Sequence, residues 1–213
     1  MKRGLFITVE GGEGVGKTTH METLSKVFGA AGKKVCLTRE PGGSPVAESI
    51  RKILLSHDNN ISCDGMAELL LMFAARADHL ESVISPALEV GDWVVCDRFT
   101  DATYAYQGGG RGLDPQKILT LEHLVQGELQ PDWTLLLDAP VETGLARVNK
   151  RGDPDRFELE ERAFFERVRK TYLERAKMFP KRIRVVDATG CIEEVSKAVV
   201  EFANSLVRTS NGR

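Results

Sequence analysis

No part of the chain is apolar for long enough to cross a bilayer; the longest apolar run, residues 69–75, is far too short. Nor is there an excess of either charge: 29 lysines and arginines stand against 31 aspartates and glutamates, a formal net charge of −2. A nucleic acid or an anionic membrane as the main partner needs a basic excess, so neither is expected, and basic residues matter only where they cluster. Cysteine is scarce too. Cys36, Cys63, Cys96 and Cys191 lie far apart and form no C-x-x-C pair, so neither a zinc site nor a redox motif is suggested; Cys36 and Cys96 fall in apolar strand patterns and read as small hydrophobes. Lys2-Arg3 is not followed by an adequate apolar core for a leader, and the expected compartment is a reducing cytoplasm. Repeats, linkers and low-complexity segments are missing apart from a polar tail at 208–213, and the length of 213 residues suits one large α/β domain spanning 1–213.

What is present is a phosphate-binding signature in the setting it requires. Gly11, Gly16, Lys17 and Thr18 satisfy G-x-x-x-x-G-K-[ST], with a short β-rich run before them and a helical pattern through Met21, Leu24, Val27 and Phe28 after them. Glycines let the backbone turn tightly and aim its N–H groups inward, and the following helix points its positive end at the same place. Gly11, Gly12, Glu13, Gly14, Val15, Gly16, Lys17, Thr18 and Thr19 are thus the expected ATP loop, with Lys17 reaching the β- and γ-phosphates and Thr18 a ligand of Mg²⁺. The plain alternative is a glycine-rich strand-to-helix turn.

From this unit the pattern alternates. Strands are expected at 34–38, 93–96, 133–137 and 182–186, and helices from Ser44-Pro45, over 66–90, 115–127, 140–150, 158–179 and 192–207. Together with the first strand they make a five-stranded parallel sheet flanked by helices, doubly wound. Pro86 should end or kink the 66–90 helix, and Arg76, Asp78 and His79 on its buried body need partners. Residues 147–156 crowd basic side chains around Gly152 and Pro154, as a mobile lid (about 147–158) would.

A P-loop fixes polyphosphate binding, not its use. A GTPase switch needs N-K-x-D with D-x-x-G ahead of it; here Asn149-Lys150-Arg151-Gly152 lacks the aspartate, and the D-x-x-G at 187–190 comes too late. A small-molecule kinase needs an acceptor pocket and a basic flap, and the chain offers both. Arg39-Glu40, Asp97-Arg98 and the 103–107 stretch fall at carboxyl ends of strands, where open α/β sheets bind ligands. Each has a plainer reading: a salt bridge for Asp97-Arg98, a core aromatic for Phe73, loop packing for Tyr104, Tyr106 and Gln107, and a solvated face for the lid arginines.

Glu10 to Thr19, Thr38-Arg-Glu-Pro-Gly-Gly43, Phe73-Ala-Ala-Arg76, Asp97-Arg98, Tyr104 to Gly112 and Arg151-Gly-x-x-Asp-Arg156 together resemble a bacterial thymidylate kinase, a P-loop nucleoside monophosphate kinase, over nearly the whole chain. The resemblance implies phosphoryl transfer from MgATP to dTMP in a cytosolic homodimer. It places Glu13 at the deoxyribose end of dTMP, Arg39 and Arg98 near the acceptor phosphate, and Asp97 with Thr18 near the metal. Phe73 would stack on thymine, Arg76 would meet its carbonyl edge, and Thr103 and Gln107 would read the rest of the base. In many relatives the stacking aromatic lies four residues before this arginine, whereas Phe73 lies three before Arg76. The P-loop carries Glu13 and no arginine, so the chain resembles the branch with catalytic arginines in the lid, here Arg151 and Arg156, alongside Lys17, Asp97 and Arg98. Two other readings stand beside it: a kinase for a different nucleoside monophosphate, which differs only in base-reading residues, and a P-loop binding protein without turnover, which has no need of Arg151 and Arg156.

Overall fold

The computed structural model describes residues 3–56, 63–151, 156–158 and 160–211, without the side chains of 149–151 and 211. Five strands form a single parallel sheet: β1 (Phe6–Glu10), β2 (Val35–Arg39), β3 (Trp93–Asp97), β4 (Trp133–Asp138) and β5 (Ile183–Asp187), in the order β2-β3-β1-β4-β5. Central β1 is buried along its whole length, as a strand covered on both faces must be, while edge strand β5 is exposed at three of its five residues. The chain leaves β1 for one side of the sheet through β2 and returns to the other side through β4, so the sheet reverses direction beside β1. Register then fixes the neighbours: Val9 pairs with Asp97, Arg39 with Asp97, and Glu10 with Leu136.

Nine α-helices are described: α1 (Lys17–Ala30), α2 (Pro45–Leu54), α3 (Gly65–His79), α4 (Ser85–Glu89), α5 (Thr100–Thr103), α6 (Pro115–Gln126), α7 (Val141–Arg151), α8 (Arg162–Met178) and α9 (Ile192–Asn211). Leu24 and Phe28 of α1 and Val199 and Ala203 of α9 close one core with Ile7, Val9 and Leu135. Phe164, Val168 and Tyr172 of α8 build another with Leu136, Ile183 and Tyr106. Ser44 caps α2, its hydroxyl accepting the Ala47 N–H, with Pro45 at the start of the helix as the sequence suggests. None of the described helices is long and apolar enough to cross a membrane.

The long helix is interrupted just ahead of Pro86, as the sequence suggests: α3 ends at His79, a π turn follows at Leu80–Ile84, and Pro86 falls within the first two residues of α4. The 100–111 stretch is helical rather than a loop, with α5 running into a second π turn, Tyr104–Gly110. Its glycines serve contact: a Cβ on Gly109 would stand 2.2 Å from Thr171 Oγ1, and one on Gly110 2.4 Å from the Phe164 ring. The helix expected from residue 158 starts only at Arg162. Asp101 ties this corner down, accepting from Arg175 at 2.5 Å and from Arg182 at 2.6 Å.

Because the Phe164 ring is buried and cannot swing aside, Gly110→Ala is expected to cost about 1–3 kcal/mol of stability through overpacking. Urea denaturation measures it, and an unchanged midpoint would show that the α8 contact yields freely.

Candidate active site

After β1 the chain turns through left-handed glycines. Gly14 has φ 66°, and a Cβ there would meet the Gly144 carbonyl oxygen at 2.2 Å, so both conformation and space demand glycine. The turn delivers Lys17 as the first residue of α1. Its ammonium lies back over the loop, donating to the carbonyls of Gly12 (2.8 Å) and Gly11 (3.3 Å), and burial together with the Arg98 charge lowers its pKa. No side chain caps α1 and its first turn holds no acid, which leaves the leading N–H groups for an anion.

Beside the loop lies a cavity of about 480 Å³. Gly14 to Thr19 and Arg147 of the donor loop and its neighbour helix line it, as do Met72, Arg76, Thr103 and Gln107, and Arg39, Asp97 and Arg98 at the ends of strands. Arg98 is the only described non-glycine residue with positive φ, 65°, a conformation that costs roughly 1–2 kcal/mol. Its neighbours hold it there. Arg98 N donates to Val9 O at 3.0 Å, and Phe99 N donates to the buried Glu10 carboxylate at 2.7 Å.

The Arg98 guanidinium then lies over the Tyr106 ring at 4.7 Å and donates to Glu13 Oε1 at 2.8 Å. Tyr106 donates its hydroxyl to the same oxygen at 2.7 Å. Burial alone would raise the Glu13 pKa; the charges of Arg98 and Lys17 and these two hydrogen bonds bring it down to about 2. Arg98 therefore pairs with Glu13, not with Asp97. Asp97 Oδ1 is buried without a hydrogen-bond partner, one of two such side-chain atoms among the described residues. A carboxylate oxygen in that state, in the wall that also holds Thr18, suits a cation as its partner.

Arg39 is half exposed and bonded to both oxygens of Glu48, at 3.0 and 3.1 Å. Arg76 is almost fully buried, giving Nε to Glu40 at 2.8 Å and Nη2 to Thr103 Oγ1 at 2.9 Å. His79 bonds to Glu40 at 3.1 Å, and Asp78 accepts from Ser44, so the polar residues of this helix do have partners.

Phe73 is a correction: it does not line the cavity but packs with Leu69 and Ile118 between α3 and α6, the core-aromatic reading. Met72 stands in the wall instead, four residues before Arg76 and thus on the same helical stripe. That four-residue interval was the signal that could have found it.

The structure also keeps Arg156 out of the cavity wall, with Nε on Leu54 O at 2.8 Å and Nη2 on Glu68 at 2.6 Å. The Arg151 side chain lies outside the described residues. Sequence reasoning missed Arg51, which lines the cavity and donates to Pro41 O at 2.8 Å, and Arg147, which reaches the carbonyls of Gly14 (3.4 Å) and Ala188 (3.0 Å). Neither sits in a motif, and only the fold brings them to the cavity.

A P-loop at the switch point of a parallel sheet, opening into a second pocket across an acid-and-arginine turn, defines a phosphotransferase of the nucleoside monophosphate kinase type. A family model described as thymidylate kinase matches residues 9–199. The thymidylate kinase of Pseudomonas savastanoi pv. phaseolicola is 56% identical over 210 residues, covering 98% of this chain and 99% of that protein. That of Chromohalobacter salexigens is 57% identical over 200 residues, 93% of this chain and 94% of its own. The crystal structure of thymidylate kinase from Ehrlichia chaffeensis superposes with a TM-score of 0.73 at 34% identity, covering 95% of this chain and 99% of that one. The chain belongs to the thymidylate kinase family, which phosphorylates dTMP to dTDP with ATP as donor.

Glu10, behind the P-loop, also accepts the Tyr172 hydroxyl at 2.8 Å; burial, with the Asp101 charge adding, pushes its pKa from 4.5 up to about 8. Its contribution to stability is therefore fully present below about 4.5 and lost as pH rises through about 8. Glu13 works in the opposite direction, its contribution present above 4.5 and lost as pH falls through about 2. The melting temperature of the wild type should thus fall relative to that of Glu10→Gln as pH rises from about 5 to about 8. Parallel profiles for the two proteins would reject the assignment.

Proposed function

We propose that this chain transfers the γ-phosphoryl group of ATP directly to dTMP, in line, with the P-loop as donor site and the Met72, Arg76, Thr103 and Gln107 end as acceptor site. The observation that carries this reading is the unpartnered Asp97 Oδ1 in the wall of the cavity that both sets of residues line. Asp97 and Thr18 would hold Mg²⁺, which when bound would screen phosphate charge. Lys17 moves from the Gly11 and Gly12 carbonyls to the β- and γ-phosphates. Arg98, preset by Glu13 and the Tyr106 ring, meets the acceptor phosphate and stabilises charge as it develops, with Arg39 beside it once it leaves Glu48. Glu13 faces the deoxyribose end. Arg76 has N–H groups beyond those given to Glu40, Thr103 and Gln126, available to a thymine carbonyl. The lid, about 147–158, closes over the phosphates with Arg151 and Arg156, and Arg156 must release Glu68 and Leu54 to do so.

The whole chain acts as one domain in the cytoplasm, where its four unpaired cysteines stay reduced. It works as a homodimer, for which the exposed Met66 and Leu70 of α3 and Leu124 of α6 supply apolar surface on two helices that pack together. Sedimentation is expected to give twice the chain mass, and a concentration-independent monomer would reject the dimer.

Turnover with dTMP, dUMP, dCMP, dGMP and AMP tests the substrate. dTMP should be best; dUMP should be poorer by the value of one methyl group in an apolar pocket, about 1–3 kcal/mol; dCMP should be poorer still. Equal rates for dCMP and dTMP would sink the base-reading assignment. In the same assay Met72→Ala should raise the KM for dTMP in a folded protein, whereas Phe73→Ala should lower stability by about 3–5 kcal/mol.

A further inference from the structure

Glu68 has no role in the reaction as described, yet it is the hub of the acceptor end. It lies on the stripe of α3 that carries Met72 and Arg76, at intervals of four residues, and its side chain is 1% exposed. Its Oε1 accepts from Gln107 Nε2 at 2.8 Å and from Arg111 Nε at 3.3 Å. Its Oε2 accepts from Arg111 Nη2 at 3.2 Å and from Arg156 Nη2 at 2.6 Å.

We propose that Glu68 sets the base preference of the enzyme by fixing which end of the Gln107 amide faces the pocket. A carboxylate only accepts hydrogen bonds, so the group turned toward it must be the amide NH₂. Gln107 is itself buried and lines the cavity, and with Nε2 turned away the end left to the base is its carbonyl oxygen. Rotating the amide by half a turn would set Oε1 against Glu68 Oε1, acceptor facing acceptor in a buried site. An inward carbonyl oxygen accepts the N3–H of thymine. Cytosine presents a lone pair at N3 and is repelled. Specificity of this kind comes from a bond made with one base and a repulsion set against the other.

The inference rests on the reading of Gln107 as a base contact, and Glu68 acts through it as a positioning residue. In Glu68→Gln the new side chain keeps its oxygen for Arg111 and Arg156 and turns its own NH₂ to Gln107, which then flips and offers a donor to the base. In Glu68→Ala nothing holds the amide, and both orientations become accessible. The experiment compares kcat/KM for dTMP and for dCMP in wild type and both variants, each checked for folding by thermal melting. Freeing Arg156 affects both substrates alike and cancels in their ratio. The dTMP-to-dCMP ratio is expected to fall at least about tenfold in Glu68→Gln and by a smaller factor in Glu68→Ala, the size expected for a buried hydrogen bond exchanged for a clash. If Glu68→Gln does not fold, Glu68→Ala carries the test. A folded variant that loses kcat while keeping the wild-type ratio overturns the proposal, leaving Glu68 as an anchor for the lid. A wild-type enzyme indifferent to the two bases removes the reading of Gln107, and this inference with it.

Discussion

The geometry of this molecule depends on one strained turn. Arg98 is held in the left-handed region by a ladder bond from β1 and by the Glu10 carboxylate on the next N–H. Register sets Asp97 beside Val9; the turn then keeps Asp97 and Arg98 in the wall of one cavity, Asp97 with an unpartnered oxygen and Arg98 carried over Tyr106 to Glu13. In a relaxed, extended continuation of β3 the two side chains would point to opposite faces of the sheet. Strain at such a position is stable only where the surroundings over-determine it, and here two strands, a buried acid and an aromatic ring do so.

A second regularity follows from the cavity's purpose. A pocket for two phosphorylated molecules needs many cations, and cations at close quarters repel one another. Four arginines in or beside this pocket are each matched by an acid: Arg98 by Glu13, Arg76 by Glu40, Arg39 by Glu48, Arg156 by Glu68. The pairs of Arg98 and Arg76 hold these donors in place before any ligand arrives, the preorganisation by which oriented charge acts without rearrangement. The pairs differ in mobility. Those of Arg76 and Arg98 are largely buried, whereas that of Arg39 is open to solvent and can exchange its partner readily.

The sheet and the phosphate loop were legible in the sequence because short apolar β-rich runs and glycine chemistry are local properties, and the four strands given bounds fall within a residue of them. What was not legible depended on phase or on distance. An apolar run such as Met72-Phe73 shows that a helix is buried without showing which of two adjacent side chains faces a cavity. π turns shift helical phase by means that no residue type announces, so the 104–110 stretch looked like a loop. Arg156 bonds to Glu68 and Leu54, far away in the chain, which no local pattern could show. Arg147 and Glu68 carried no motif at all.

The start of α1 has no side-chain cap and no acidic residue in its first turn. In most helices those groups belong to the chain, and the helix is complete when folding ends. Here the completing group is an outside molecule. A polyphosphate is to this helix what a serine or aspartate is to others, so occupancy and folding are linked at the centre of the sheet. The durability of the β1–α1 unit is then set partly by the nucleotide concentration around the protein and not by its sequence alone.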